Sequence, residues 1–299
     1  MTQVRQCRAR HREDGRTVRL LGPALLLGSL TLAGGTTTTA GTFSASTFTG
    51  QTPSRSTAMI APHKGILPPK NPSKSLPPKP DFLSSSSCSS AKDTTACNDL
   101  VLSATSNARN LLEKLGPMSF SLSAYEKLTG AEQLFVTANV ERVGRGLAPM
   151  LELTNSLDSL AQAGAKANTD PDIDRIIKTK LPGGGRVISA GANFASGYDN
   201  PLGSNYGWMY DDGLGSPNSA CTSKNPQACW GHRDNILHAY GSTSACGGTS
   251  FESVMGAGYV KSGAVFGDGE TEVLVGVCGK TPTDSVFTWA KAMSLLHIK

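Results

Sequence analysis

Hydrophobic and polar positions follow three different patterns along the chain. Residues 20–33 form an apolar run, residues 36–96 are mostly Ser, Thr, Pro and Lys, and regular periodicities begin only near Asn98. A segment with few large apolar side chains buries too little surface to offset the entropy of ordering it. We therefore predict a disordered linker over residues 46–97 and one folded domain over residues 98–299.

Helical periodicity dominates the first half of the predicted domain. Ser123 with Glu126, and Thr129 with Glu132, both have capping-box spacing, and a helix is expected to begin at one or the other. Its buried face has i, i+4, i+7, i+11 spacing at Val136, Val140, Val143 and Leu147. A second helix is predicted over residues 154–167, where many alanines indicate close packing against a neighbour.

Strand patterns dominate the second half. SVMGAGYV at 253–260 and TEVLVGVCG at 271–279 favour strands, and Gly-Asp-Gly at 267–269 predicts the turn of a hairpin between them. Residues 287–296 fit either a last strand or a terminal helix. Helices first and strands last, without βαβ alternation, predict an α+β fold.

The apolar run at 20–33 follows a polar start that carries six arginines. This is the order of the n-region and h-region of a secretory signal. A membrane-spanning helix needs about 20 apolar residues, and this run is shorter and contains Gly22, Pro23 and Gly28. We predict a signal peptide over residues 1–45, an extracellular or cell-wall location and no stable membrane span after cleavage; an uncleaved anchor is the alternative.

The net charge of +5 is unevenly distributed. Residues 1–99 hold the basic excess, whereas residues 100–299 hold sixteen basic and eighteen acidic side chains. The predicted domain is therefore slightly acidic on average, and its composition gives no reason to expect a nucleic-acid partner.

Six cysteines lie outside the predicted signal: Cys88, Cys97, Cys221, Cys229, Cys246 and Cys278. An even number in an exported chain predicts three disulfides. Neighbour pairing is one arrangement among several that the sequence allows. A structural zinc site is not indicated, because the chain has no CxxC pair.

Four segments, in order, resemble the CAP superfamily of cysteine-rich secretory, antigen 5 and pathogenesis-related proteins and their bacterial SCP-like relatives. They are Asn139-Val140-Glu141-Arg142 followed by GLAP, GANFA at 191–195, Trp208-Met209 with WGHRDNIL at 230–237, and GAGYV at 256–260. The resemblance covers residues 125–290, and WGHRDNIL is its most specific part. It implies a three-layer α-β-α sandwich with an antiparallel sheet.

The resemblance also implies a cavity, which in the family holds two histidines and two acids able to bind a divalent cation. His232 matches the second histidine, and Asp211, with Asp212 as its rival, matches the second acid. Ala192 stands at the first acid, and residues 155–191 contain no histidine. Since two protein ligands are too few for zinc, we expect no metal and no other cofactor.

Further side chains are expected near this cavity. Asn193, Trp208 and Trp230 would line it, and the two indoles could stack on sugar or lipid or instead pack in the core. His232 could act as a general base, orient a polar ligand, or bond a backbone carbonyl at a helix start. The G-x-S-x-G, HExxH and phosphate-loop motifs are absent from the sequence.

The CAP resemblance fixes fold better than function, since lipid binding, cell-wall or host interaction and protease activity all occur in the family. We expect a secreted or cell-wall-associated binding module, rather than an enzyme, that acts as a monomer on a lipid, cell-wall or host-surface ligand. One alternative is a hydrolase on peptide or peptidoglycan that uses His232 and Asp211. The other is a structural surface protein.

Overall fold

The computed structural model describes residues 70–89, 95–198, 200–264 and 267–298. The predicted signal and the linker up to residue 69 lie outside them. The helices are α1 Ser86–Ser89, α2 Thr95–Glu113, α3 Leu122–Tyr125, α4 Gly130–Val143, α5 Asn155–Ala167, α6 Ile173–Ile177, α7 Pro201–Tyr210, α8 Gly231–Leu237 and α9 Trp289–Leu296. The strands are β1 Glu152–Thr154, β2 Arg186–Ser196, β3 Phe251–Ala264, β4 Gly267–Cys278 and β5 Ser285–Thr288.

The α+β class is confirmed, with five strands in the order β2-β4-β3-β1-β5. The expected purely antiparallel sheet is wrong, because β1 pairs parallel with β3 through Leu153 and Met255. β1 is three residues long and gives no strand signal in the sequence. Several helices and β2 separate it from β3 in the chain, which is the long connection that a parallel pair requires.

The two faces of the sheet carry separate apolar cores, as the alternation of side chains along a strand requires. Val254 and Val273 face α5, where they meet Leu157. Met255 and Leu274, one residue further along the same strands, belong to the core shared with α2, α4, α7 and α9. Helices therefore pack on both faces.

Close packing of α5 on the sheet depends on two glycines of β3. A Cβ at Gly256 would lie 2.2 Å from the carbonyl carbon of Leu157, and one at Gly258 would lie 2.5 Å from that of Ala161. The small residues of GAGYV and the alanines of α5 thus meet each other, as the composition of the helix predicted.

The helix start at Thr129 is confirmed by a complete capping box with Glu132. The second predicted helix is α5, and residues 287–296 contain both proposed elements, β5 and then α9. The hairpin of β3 and β4 is also present, but residues 267–269 pair with β3 inside β4 and do not form its turn. Gly267 and Gly269 lie where the β3–β4 register shifts, and a glycine inside a strand often marks such an irregularity.

Residues 70–89 lie against the helices, although their composition predicted a linker. The Leu76 N–H donates to the Tyr210 carbonyl, and the Leu76 carbonyl accepts from the Tyr206 hydroxyl. Phe82 is buried edge-on against the Tyr206 ring. A few contacts of this kind satisfy an irregular segment, so the folded part begins before Asn98.

The six cysteines pair as neighbours: Cys88 with Cys97, Cys221 with Cys229, and Cys246 with Cys278. The first pair joins α1 to α2, the second closes the loop before α8, and the third ties the loop before β3 to the end of β4. Within the described ranges, no helix is long and apolar enough to cross a bilayer.

A buried ionic network joins the helices on one face of the sheet. The Glu141 carboxylate, fully buried in α4, accepts from Arg109, Arg145 and the Tyr210 hydroxyl. Burial alone would raise the pKa of Glu141, but Arg145 and Arg109 lower it below its ordinary value. Glu113 extends the network, since its carboxylate binds both Arg145 and Arg233.

We expect Glu141→Gln to lower the free energy of unfolding by about 3 to 5 kcal/mol, because it leaves buried arginines without their counter-charge. Denaturant unfolding measures the loss. Glu132→Gln, the same change at the N3 position of the capping box of the same helix, should cost less than about 1 kcal/mol, because a glutamine side chain also accepts from the N-cap N–H there. Equal effects of the two substitutions would contradict the proposed role of the network.

Candidate functional site

The candidate site forms where α8 meets the end of α7 and the middle of β2. Arg142 of α4 holds the C-terminal end of α8, with Nη1 donating to the Ile236 carbonyl at 2.6 Å and the His238 carbonyl at 3.0 Å. Arg233 holds the other end by donating to the Met209 carbonyl at 2.8 Å. Asn139 supports this corner by exchanging two hydrogen bonds with the Met150 backbone.

β2 is fitted to α8 by three residues of the GANFA segment and by Asn235. Asn193 Nδ2 donates to the His232 carbonyl at 3.1 Å, and Asn235 Nδ2 donates to the Ala192 carbonyl and to Asn193 Oδ1. A Cβ at Gly191 would lie 2.4 Å from the Tyr240 hydroxyl. These contacts place the start of α8 directly over the strand.

His232 is held by Asp212. The His232 backbone N–H donates to Asp212 Oδ2 at 3.2 Å, and its Nδ1 lies 2.8 Å from Asp212 Oδ1. The same carboxylate accepts from Asn218 at 2.7 Å. Trp230, just before the helix, has a φ of 65° that turns the chain into this position. The orientation of the ring is therefore fixed from one side.

On its other side, His232 faces Asp170. Its Nε2 lies 3.9 Å from Asp170 Oδ1, beyond hydrogen-bond distance, and the two side chains are 15% and 30% exposed. Asp170 also accepts from the Phe194 backbone N–H. Oδ1 of Asp170 has no hydrogen-bond partner among the residues described. Nε2 and Oδ1 thus face each other across a gap too long for a direct hydrogen bond, and Oδ1 keeps an unused acceptor position.

Glu272 completes the site from the adjacent strand. It stands opposite Asn193 in the β2–β4 ladder and is fully buried. Neither of its carboxylate oxygens has a hydrogen-bond partner in the part of the chain that the structure describes. Burial raises the pKa of Glu272 to about 8, against the opposing effects of His232 and Arg142.

The three acids decide the charge of His232. Burial alone would lower its pKa, but Asp212, Asp170 and Glu272 together raise the pKa to about 9. His232 is therefore an imidazolium at neutral pH. Both ring nitrogens are donors, with Nδ1 committed to Asp212 and Nε2 directed at Asp170.

The other residues expected in the cavity have different surroundings. Asp211 ends α7 and accepts a hydrogen bond from Ser75, and burial raises its pKa. Trp208 and Trp230 are both buried, and the Trp208 indole donates to the Phe194 carbonyl. Asp212, Asn193 and the Trp208 ring, whose centroid lies 6.5 Å from that of the imidazole, are thus brought to His232. Asp211 is held by Ser75, and Trp230 is buried just before α8.

Sequence reasoning missed Asp170 and Glu272. Asp170 lies just beyond the predicted second helix, and Glu272 lies inside the strand segment TEVLVGVCG. A carboxylate inside a strand of valines is a signal that could have marked Glu272 for attention, because a buried acid needs a partner or a raised pKa. Across the described ranges, no group of three or more His, Cys, Asp and Glu side chains is arranged to hold a metal ion.

We predict that the two histidines of this region titrate on opposite sides of the ordinary value. His232 should titrate near pH 9, while burial and Arg142 lower the pKa of His238. Asp212→Asn should lower the pKa of His232 and leave that of His238 in place. NMR titration of the imidazole C–H signals measures both, and a common midpoint near 6.5 would contradict the geometry.

The free energy of unfolding should fall as the pH rises, because Glu272 and His232 hold their protons more tightly in the native state than in the unfolded chain. The native state holds protons on Glu272 up to about pH 8 and on His232 up to about pH 9, whereas the unfolded chain loses them near about 4.3 and 6.5. The free energy of unfolding should therefore decrease from about pH 4.3 through Glu272 and from about pH 6.5 through His232 as well, up to about pH 9. Denaturant titrations measure it; Glu272→Gln should flatten the decrease, and a rise with pH would refute the assignment.

No protein-family model, curated protein or solved structure matches this chain. The chemistry of the site is that of one oriented cationic donor, His232 Nε2, which faces the carboxylate oxygen of Asp170.

Proposed function

We propose that this chain is an exported binding module of the CAP type, secreted or attached to a cell wall. Its site holds a polar ligand between His232 and Asp170. It binds without catalysing a reaction.

The CAP assignment is supported by the way the resembling segments work together. Asn139 and Arg142 of the first segment support α8, Gly191 and Asn193 of the second fit β2 to it, and His232 lies in the third. The fourth segment packs on α5 through its glycines. Helices on both faces of the sheet agree with a three-layer sandwich.

Export is supported by the three cysteine pairs, because disulfides persist in oxidising compartments and are rare in the cytosol. The apolar run behind a basic start gives the same indication from the sequence.

The observation that carries the binding role is the placement of His232 between two carboxylates. A general base must accept a proton, and an imidazolium has no free lone pair at neutral pH. Asp211, the partner required by the hydrolase alternative, is bonded to Ser75. His232 is thus suited to donate to a bound ligand.

The spacing defines the ligand chemistry. A hydroxyl group beside the line from His232 Nε2 to Asp170 Oδ1 can accept from the first and donate to the second, because two hydrogen bonds of about 2.8 Å that meet at roughly a right angle connect atoms 3.9 Å apart. Trp208 and Trp230 are buried and offer no apolar face to a lipid chain. A cell-wall or surface ligand rich in hydroxyl groups therefore fits better than a lipid.

A sedimentation assay with insoluble peptidoglycan, stripped of anionic polymers, tests this function. The native protein should be retained, and Asp170→Asn and His232→Gln should each weaken retention about tenfold, as expected for loss of a charged hydrogen bond. Asp99→Asn, the same change at an exposed aspartate of α2, is the matched control. Thermal unfolding of each variant identifies loss of folding.

Retention that both site variants leave unchanged would refute the binding role of this site. Release of soluble fragments that His232→Gln abolishes would instead establish the hydrolase.

A further inference from the structure

Four exposed cations gather at the end of the sheet where β2 begins. They are Lys178 and Lys180 after α6, Arg186 at the start of β2, and Lys280 just after β4. We call them the basic turn surface. Arg186 and Asn193 are seven residues apart in β2, so at about 3.3 Å per residue this surface lies roughly 20 Å from the candidate site.

Backbone pairing brings three of the four residues together, and Lys178 lies two residues before one of them, Lys180. Lys180 and Arg186 face each other in an antiparallel bridge. Arg186 in turn pairs with Cys278, two residues before Lys280. A Cβ at Gly185 would lie 2.5 Å from the Lys280 carbonyl oxygen, so the two turns touch.

Within the residues that the structure describes, the four cations of the basic turn surface have no acidic partner. Residues 175–186 and 276–283 contain no Asp or Glu, and among the described residues none of the four cations forms an ion pair. The acids nearest the surface have other positions or partners: Asp172 caps α6, Asp174 lies in the first turn of that helix, Glu252 accepts from the Thr281 hydroxyl at 2.8 Å, and Asp284 accepts from the Ser156 N–H at 2.8 Å. Like charges placed opposite each other repel, so the fold keeps an arrangement that an anion would stabilise.

The turn between Lys180 and Arg186 leaves room for a ligand. Gly183 and Gly184 have φ values of 94° and 87°, which side chains rarely adopt, and a Cβ at Gly184 would meet nothing within 4 Å. Gly184 thus adds no side chain at the tip of the turn, where Pro182 is the exposed side chain between Lys180 and Arg186. An exposed surface of this kind suits an extended chain better than a small enclosed anion.

We propose that the basic turn surface binds a flexible anionic polymer with repeated phosphate or sulfate groups. Several exposed cations on adjacent turns match several anions along one chain, and the attraction needs no buried cradle. A membrane surface fits less well, since Ile177 is the one large exposed apolar side chain of residues 175–186. This interaction is independent of the function proposed for the His232 site.

Fluorescence anisotropy with labelled polyphosphate and, separately, with heparin tests the proposal. Both should bind, and affinity should fall steeply between about 50 and about 200 mM salt as counterions are released. Lys180→Gln with Arg186→Gln should weaken binding roughly tenfold. Lys114→Gln with Lys127→Gln changes the net charge equally at exposed positions elsewhere and should have little effect.

The two polymers separate phosphate from sulfate as the preferred group, and binding of either one supports the proposal. Equal weakening by the two double variants would overturn it, because only net charge would then matter. Binding to phosphatidylglycerol vesicles with no binding to either polymer would also overturn it. Thermal unfolding of both double variants establishes that they fold.

Discussion

The rest of the structure depends on the burial of the Glu141 carboxylate. A charge without solvent must be paired: Arg145 follows Glu141 by four residues, whereas Arg109 comes from α2 and Tyr210 from α7. Pairing therefore fixes α2 and α7 relative to α4. Through Glu113 the same network reaches Arg233, one residue after His232. The frame of the helices and the position of the site share one set of ion pairs.

Neighbouring residues of α8 have opposite polar environments. The guanidinium of Arg233 is paired within the frame, whereas His232 faces acceptors that the described residues leave unfilled at Asp170 and Glu272. The unpaired carboxylate oxygens of Asp170 and Glu272 thus stand close in the fold to a network of paired charges. Functional sites tolerate local conflicts of this kind. The ion pair of Arg233 with Glu113 supports the His232 site, because it fixes the helix that carries the imidazole.

Strand β2 connects two regions of different charge. Asn193 lies beside the acids around His232, and Arg186 at the other end belongs to the basic turn surface. The average charge of the domain hides both, since the acidic and basic residues cancel in a sum. Charge that matters for binding is a local property, and the register of the strands determines it.

The sequence by itself determined the features that depend on near neighbours, namely the capping box at Thr129 and the helix and strand segments that became α4, α5, β3 and β4. It also singled out His232. Only the tertiary structure decided that Asp212 is its partner, that Asp170 and Glu272 face it, and that β1 runs parallel to β3. Local patterns reflect interactions within a few turns of chain, whereas these contacts join residues that meet only when the sheet register and the buried ion pairs are in place.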